Sequence, residues 1–180
     1  MNLAARILKL AGWKVEVSVP DFPKAIICVA PHTSNWDFIL GELAIRSVGR
    51  KAGFMMKSSW FFFPLGYFFR AIGGIPVVRE RKTQSLVEAM VARFKSEPRL
   101  VVAITPEGTR KPTANWHTGF LRIAGEADIP ICLAVIDFRM KKAMINDVFI
   151  PTGNVDADLA EIKKYYRPFT GRHPDNFITD

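Results

Sequence analysis

The sequence predicts an α/β fold: a single domain with a mostly parallel sheet flanked by helices. Short, wholly apolar runs alternate along the chain with longer segments whose apolar residues recur every three or four positions. The short runs are typical of strands buried in a parallel sheet, and the longer segments are typical of helices that cover one. The 180 residues, 49% of them hydrophobic, can bury one sizeable core. Because there is no internal repeat or linker, residues 1–180 are predicted to form one domain.

The first part of the chain is predicted to form a helix, a strand, a second helix and an aromatic segment. Residues 1–13 carry Leu3, Ile7, Leu10 and Ala11 on one helical face, which predicts an amphipathic helix. Residues 26–30 are an apolar run closed by a proline, as expected for a buried strand that opens into a loop. Apolar side chains recur at helical spacing over residues 37–49, where a glycine marks the end. Residues 60–70 crowd aromatic rings around a proline and a glycine, which break any long regular element.

The second part is predicted to continue the alternation after a turn of glycines and a proline at residues 73–76. A threonine can cap the next helix, and a proline ends it. The predicted elements, in order, are a strand at 77–78, a helix at 83–98, a strand at 100–104, a helix at 120–127, strands at 131–136 and 148–150, and a last helix around 159–166.

The chain is strongly basic, with a formal net charge of +8. Such a charge implies an acidic partner: nucleic acid, an anionic membrane, or a phosphorylated substrate and its carrier. No nucleic acid is expected, because the sequence lacks a basic stripe with interleaved aromatics. No apolar run reaches the roughly 18 residues of a spanning helix, and the N-terminus lacks a secretory cleavage pattern. We therefore expect a cytoplasmic protein, peripheral on the inner face of the cell membrane.

One histidine and one aspartate stand where a parallel sheet places its ligands. His32 follows the first buried strand, and Asp37 comes five residues later at the start of a helix. Ligands of such sheets bind at the carboxyl ends of the strands. An aspartate that accepts a hydrogen bond from one imidazole nitrogen leaves the other nitrogen free to act as a base. The pair can therefore take a proton from an alcohol, although a capping aspartate beside an incidental histidine is the simpler alternative.

A second polar cluster follows the apolar run at residues 100–104. Gly108 permits close backbone approach, Thr109 offers a hydroxyl, and Arg110 presents a planar guanidinium suited to phosphate oxygens. Such a loop can bind an anion. The alternative is a charged turn in which Glu107 orients the arginine or forms a solvated ion pair.

These segments, in this order and at this spacing, resemble the motif blocks of the glycerophospholipid acyltransferase family, which includes lysophosphatidic acid acyltransferases. His32 and Asp37 match the first block, in which four residues separate the histidine from the aspartate. The second block resembles Gly74–Arg79, and Glu107–Arg110 matches the third in full. Ile129–Leu133 approximates the fourth, a hydrophobic strand entered through proline.

The resemblance covers about residues 26–136 and implies a glycerol-3-phosphate acyltransferase-like fold. It also implies transfer of a fatty acyl group from acyl-CoA or an acyl carrier protein to the hydroxyl of a lysophospholipid such as 1-acyl-glycerol-3-phosphate. In this scheme His32 is the general base and Asp37 orients it. The residues implied to bind the acceptor and its phosphate are Arg79, Glu107, Gly108, Thr109 and Arg110.

Direct attack of the acceptor on the thioester is favoured over a covalent acyl-enzyme. The sequence has no Gly-x-Ser-x-Gly elbow, and Cys28 and Cys132 lie in apolar runs, as expected for buried free thiols. Ser34 is interpreted as a hydroxyl that stabilises its loop. Neither a metal nor another cofactor is expected, because the three histidines lack ligand spacing.

Three questions stay open at the level of sequence. The acceptor can also be an amino-acid-headed lipid or another small alcohol or amine. A non-catalytic module that binds membrane lipid is a further alternative. The aromatic residues of Trp60–Phe69 suit a membrane-facing patch, an acyl-chain tunnel or the core beside the sheet. Docking on anionic lipid by residues 1–13 together with this aromatic segment is a hypothesis.

Overall fold

A seven-stranded sheet forms the centre of the fold in the computed structural model. The structure describes residues 2–77 and 83–180, with side chains omitted for residues 83–85. Its strands are β1 (Lys14–Val17), β2 (Lys24–Ala30), β3 (Gly53–Lys57), β4 (Gly74–Val77), β5 (Leu100–Ile104), β6 (Ile131–Asp137) and β7 (Lys142–Phe149). Their order is β1-β7-β6-β2-β5-β3-β4. The pairing of β6 with β7 is antiparallel, and all the other described pairings are parallel.

Helices cover both faces of this sheet. They are α1 (Leu3–Leu10), α2 (Asn35–Ser47), α3 (Leu65–Ala71), α4 (Thr83–Ser96), α5 (Gly119–Ala127) and α6 (Val155–Tyr166), with short 3-10 turns at Ser58–Trp60 and Pro174–Asn176. Side chains of α4, α5 and α6 form the larger core cluster, whereas α1 and α2 contribute to clusters on the other face. Within the described ranges, no helix is long and apolar enough to cross a bilayer.

Strand β2 shows why the fold is recognisable from sequence. Ile26 and Cys28 join the larger cluster, whereas Ala25 and Ile27 join the cluster on the opposite face. Alternate residues of a strand point to opposite faces, so a strand covered on both sides must be apolar throughout. The predicted α/β fold with its mostly parallel sheet is confirmed, and residues 26–30, 100–104 and 131–136 lie within β2, β5 and β6.

Several sequence-based expectations were wrong in detail. Strands β1 and β3 were not predicted, and β7 begins at Lys142, six residues before the predicted start. Of the predicted turn at residues 73–76, Gly73 lies in a turn, whereas residues 74–76 belong to β4. Pro76 is tolerated there because β4 lies at the sheet edge, where a missing N–H costs no ladder hydrogen bond. The second residue of the predicted strand at 77–78 lies outside the described residues.

Helix α1 exposes the apolar face predicted from sequence. Leu3, Ile7 and Leu10 of that face are exposed, whereas Leu8, which lies outside it, is buried. Leu8 packs into the cluster that contains Leu40 of α2. The apolar stripe at Leu3, Ile7 and Leu10 therefore points away from the sheet.

A buried hydroxyl ties α6 to the central strand. Tyr166 is completely buried, and its hydroxyl donates a 2.6 Å hydrogen bond to the carbonyl of Cys28. This contact lies four residues before His32. Removing one partner of a buried hydrogen bond leaves the other partner without compensation.

We expect Tyr166→Phe to lower the free energy of unfolding by about 1 kcal/mol, because the Cys28 carbonyl loses a buried donor. Urea denaturation followed by circular dichroism measures the change. Tyr165→Phe is the matched control, since no hydrogen bond of the Tyr165 hydroxyl occurs within the described ranges. The control is expected to stay within about 0.5 kcal/mol of the parent protein. Equal losses in both variants would contradict the role assigned to the Tyr166 hydroxyl.

Candidate active site

The polar segments predicted from sequence meet at the carboxyl ends of the parallel strands. Strands β2 and β5 are parallel neighbours, so the loop that follows Ala30 and the loop that follows Ile104 emerge side by side. A cavity of about 1120 Å³ opens between them. Its lining includes His32 and Asp37 from the first loop and Gly108–Lys111 from the second.

His32 and Asp37 are in contact. The Nδ1 atom of His32 lies 3.3 Å from Oδ2 of Asp37. The two groups are not aligned as a full hydrogen bond, and Nδ1 has no hydrogen-bond partner among the described residues. Catalytic hydrogen bonds are often long in unliganded enzymes and tighten when substrate binds. The histidine side chain keeps 19% of its surface exposed, whereas that of the aspartate keeps 1%.

The Asp37 carboxylate is held by the loop that it stabilises. Its Oδ2 accepts hydrogen bonds from the backbone N–H groups of Thr33 and Ser34, each at 2.7 Å, and its Oδ1 accepts one from the Ser34 hydroxyl at 2.8 Å. Asp37 is the third residue of α2, so it also caps that helix. Burial alone would raise the pKa of Asp37, but the contacts with His32 and Ser34 outweigh burial and lower it. The carboxylate is therefore ionised at neutral pH.

Glu107 lies beneath the histidine. The residue is only 4% exposed, and its Oε2 accepts a 2.8 Å hydrogen bond from the backbone N–H of His32. It thus forms neither the solvated ion pair nor the contact with Arg110 that the sequence left open. Its other oxygen, Oε1, is buried without a partner among the described residues. Burial raises the pKa of Glu107 to about 8, the hydrogen bond from His32 opposes this shift, and the negative charge of Asp37 adds to it.

The rest of the second loop is shaped around Gly108. This glycine has a φ of +64°, and a Cβ atom there would lie 2.6 Å from Nε2 of His117. The His117 ring can pack against the loop only because Gly108 has no side chain. Thr109 accepts a hydrogen bond from the Lys111 backbone N–H at 3.2 Å. Arg110 is exposed, and its guanidinium has no carboxylate partner within the described part of the chain.

A segment near the C-terminus holds both loops. The backbone N–H of His173 donates to the Thr33 hydroxyl at 3.1 Å. On the other side, the Asn176 amide donates to the Arg110 carbonyl at 3.0 Å, and the Trp116 indole donates to the Ile178 carbonyl at 3.1 Å. Sequence reasoning missed this segment, because it carries no motif and two of its three contacts use its main chain.

The structure therefore brings together most of the residues implicated from sequence. The ones that meet around the cavity or directly beside it are His32, Asp37, Glu107, Gly108, Thr109 and Arg110. Arg79 lies outside the described residues, so its place in the site stays a prediction. His117 and Lys111 also line the cavity. A histidine in contact with a buried carboxylate, in a cavity also lined by an arginine that has no carboxylate partner among the described residues, can deprotonate an alcohol that carries an anionic group.

Comparison with known proteins defines the class of this protein. The profile of the Acyltransferase family matches residues 14–137, which contain the described site residues of both loops. The match spans well over half of the chain, so the protein is of the acyltransferase class. It belongs to the Acyltransferase family, which confirms the resemblance seen in the motif blocks.

A solved structure shares the fold. The crystal structure of the 1-acyl-sn-glycerophosphate (LPA) acyltransferase PlsC from Thermotoga maritima superposes with a TM-score of 0.57 at 15% sequence identity. The similarity covers 92% of this chain and 76% of that one. At this identity the likeness establishes the fold alone. No curated protein sequence matches the chain significantly.

The raised pKa of Glu107 predicts a pH-dependent stability. The folded state holds this proton up to about pH 8, whereas the carboxyl has an ordinary value of 4.5. The folded state therefore binds more protons than the unfolded state between these values, and Glu107 makes stability fall as pH rises through that window.

We expect Glu107→Gln to make the loss of unfolding free energy between pH 5 and pH 8 smaller than in the parent protein. Glutamine keeps an oxygen for the His32 N–H but cannot ionise. Denaturation at a series of pH values measures the slope. Glu126→Gln, at an exposed ion pair with Arg122, is the control and should leave the slope unchanged. Parallel curves for the parent and the Glu107 variant would rule out the effect.

Proposed function

We propose that the protein transfers a fatty acyl group from an acyl thioester, acyl-CoA or acyl carrier protein, to the hydroxyl of a lysophospholipid. The observation that carries the proposal is the contact of the His32 imidazole with the buried Asp37 carboxylate in a cavity shared with Arg110. The Thermotoga maritima protein of similar fold is a 1-acyl-sn-glycerophosphate acyltransferase. The corresponding lysophospholipid is therefore the first acceptor to test.

The proposed chemistry is general-base catalysis. Asp37 lies next to Nδ1, so it favours the tautomer with the proton on that atom and leaves the lone pair on Nε2. Nε2 takes the proton of the acceptor hydroxyl while the hydroxyl oxygen forms a bond to the thioester carbonyl carbon. The tetrahedral intermediate then collapses, the carbon–sulfur bond breaks, and the thiolate takes the proton back from the imidazolium. A positioned base of this kind contributes roughly a hundred- to ten-thousand-fold in rate.

The states of the potential nucleophiles support direct attack. The Ser34 hydroxyl is buried and donates to Asp37, so it is engaged in holding the loop. Burial raises the pKa of the Cys28 thiol to about 12 and that of the Cys132 thiol to about 11. Thiols with such pKa values stay protonated and are poor nucleophiles at neutral pH.

The lining of the cavity suits the two parts of a lysophospholipid. Arg110 and Lys111 supply positive charge for a phosphate, and Arg79 is proposed to join them. Apolar side chains that line the cavity include Val29, Phe54, Met55 and Leu86. These side chains can accommodate an acyl chain. Because acceptors of this kind reside in bilayers, we propose that the protein acts peripherally on the inner face of the cell membrane.

The His32 and Asp37 assignments are tested by thiol release from acyl thioesters in the presence of a panel of acceptors. The panel holds lysophospholipids, amino-acid-headed lipids, and small alcohols and amines. His32→Ala is expected to lower the rate by at least about a hundredfold, and Asp37→Asn is expected to lower it because the imidazole loses its orienting charge.

The matched control is His173→Ala, which removes an exposed imidazole and keeps the backbone N–H that contacts Thr33. Comparable thiol release by the parent and His32→Ala would refute the mechanism. If only an acceptor that lacks phosphate is turned over, the proposed lysophospholipid acceptor would be wrong and that acceptor would take its place. Lipid binding without turnover of any acceptor would indicate a non-catalytic lipid-binding module.

Arg110→Ala tests the phosphate assignment. A charge-assisted hydrogen bond is worth about 1.5–3 kcal/mol, so the KM for a phosphate-bearing acceptor is expected to rise roughly tenfold to a hundredfold. Steady-state kinetics with a lysophospholipid measure the change. The control is Arg99→Ala. Arg99 is exposed and pairs with Asp21 at the amino ends of the strands, away from the site. An unchanged KM for Arg110→Ala would remove this residue from the acceptor site.

A further inference from the structure

We infer that the exposed aromatic segment that follows β3 docks the protein on an anionic lipid bilayer. This segment, here called the aromatic platform, comprises Trp60, Phe62, Phe63, Leu65, Tyr67 and Phe68, all of which are exposed. Phe63 is 81% exposed and Tyr67 is 74% exposed. The inference rests on the proposed function in that it takes the acceptor to be a membrane lipid.

The platform follows β3 at the same end of the parallel strands as the candidate site. Strand β3 is parallel to β5, so the chain that leaves Lys57 emerges at the edge where the His32 and Arg110 loops lie. Phe54 of β3 packs edge-to-face on Phe38 of α2, with ring centroids 4.7 Å apart. Both of these rings line the cavity. An apolar path therefore connects the cavity to the strand that leads into the platform.

Two glycines let the aromatic segment fold closely on itself. A Cβ atom on Gly66 would lie 2.6 Å from the Phe61 carbonyl oxygen. One on Gly74 would lie 3.1 Å from the Phe61 ring and 2.7 Å from the Phe69 carbonyl oxygen. The segment is therefore folded tightly on itself at positions where only glycine fits, with the Phe61 ring against Gly74. The exposed rings belong to this closely packed segment.

The positive charge around the platform favours an anionic bilayer as its partner. No Asp or Glu occurs in residues 52–77, whereas Lys57 and Arg70 are exposed there. Arg110 and Lys111 add positive charge at the neighbouring loop. A second copy of the chain would bring these like charges together. Aromatic rings flanked by cations instead match the interface of a bilayer with anionic headgroups.

The exposed stripe on α1 is the competing surface. Leu3, Ile7 and Leu10 form an apolar stripe on a basic helix, and the hypothesis from sequence was docking by this helix together with the aromatic segment. Helix α1 leads into β1, which lies at the opposite end of the sheet order from β3 and β4. Val15 and Val17 of β1 also line the cavity, but the platform presents six exposed apolar side chains against three on α1, so we assign docking to the platform. Substitutions in the α1 stripe provide the matched comparison.

The test is flotation with phosphatidylcholine vesicles, with and without phosphatidylglycerol, in the absence of any acyl donor. The parent protein is expected to float with the anionic vesicles at low salt and less at high salt. The triple variant Phe63→Ser, Tyr67→Ser and Phe68→Ser is expected to bind at least about tenfold more weakly, because three interfacial rings are lost. The double variant Leu3→Ser and Leu10→Ser is expected to bind like the parent.

Three outcomes would overturn the inference. One is equal vesicle binding by the triple variant and the parent. Another is loss of binding in the α1 variant alone. The third is that sedimentation velocity shows a dimer for the parent and a monomer for the triple variant, while the triple variant still binds vesicles. The platform would then be an interface between copies of the chain. Thermal unfolding verifies that each variant is folded. Because flotation requires no turnover, its result is independent of the thiol-release assay.

Discussion

The buried carboxylate of Asp37 is the group on which the geometry of the site depends. It accepts hydrogen bonds from the Thr33 and Ser34 backbone, caps α2, and contacts the His32 imidazole. A buried charge is tolerated only when it is well paired, so the loop must close around it. The start of the helix and the orientation of the histidine are therefore fixed by the same atoms. Any change that disturbs the helix cap also disturbs the position of the His32 imidazole.

The sheet order turns distant segments into one site. Strand β2 lies between β5 and β6, and its pairing with β5 brings Glu107 to the backbone of His32 across 75 residues of sequence. The Glu107 carboxyl thus links the loop that carries His32 to the loop that carries Arg110. Because it is buried and uncharged over much of the physiological range, it links them without placing a second negative charge beside Asp37.

How much of this could be read from the sequence depended on burial and on side-chain chemistry. The wholly apolar runs of β2, β5 and β6 are required by helices on both faces, so they were predictable. Strand β1 was missed because it is short and mixed, and β3 because it begins with glycine and carries methionines in place of β-branched residues. The motif blocks identified His32, Asp37 and Arg110. The burial of Glu107 under His32 was not predictable, because it depends on the register between two strands.

The segment around His173 and Ile178 lies beyond the part of the chain that matches the family, which ends at residue 137. It nevertheless bridges the two halves of the cleft, largely through main-chain atoms. Main-chain contacts place little restriction on side-chain identity, so the sequence of such a strap can drift between relatives without leaving a motif. The segment thus helps to hold the cleft together without contributing a sequence motif.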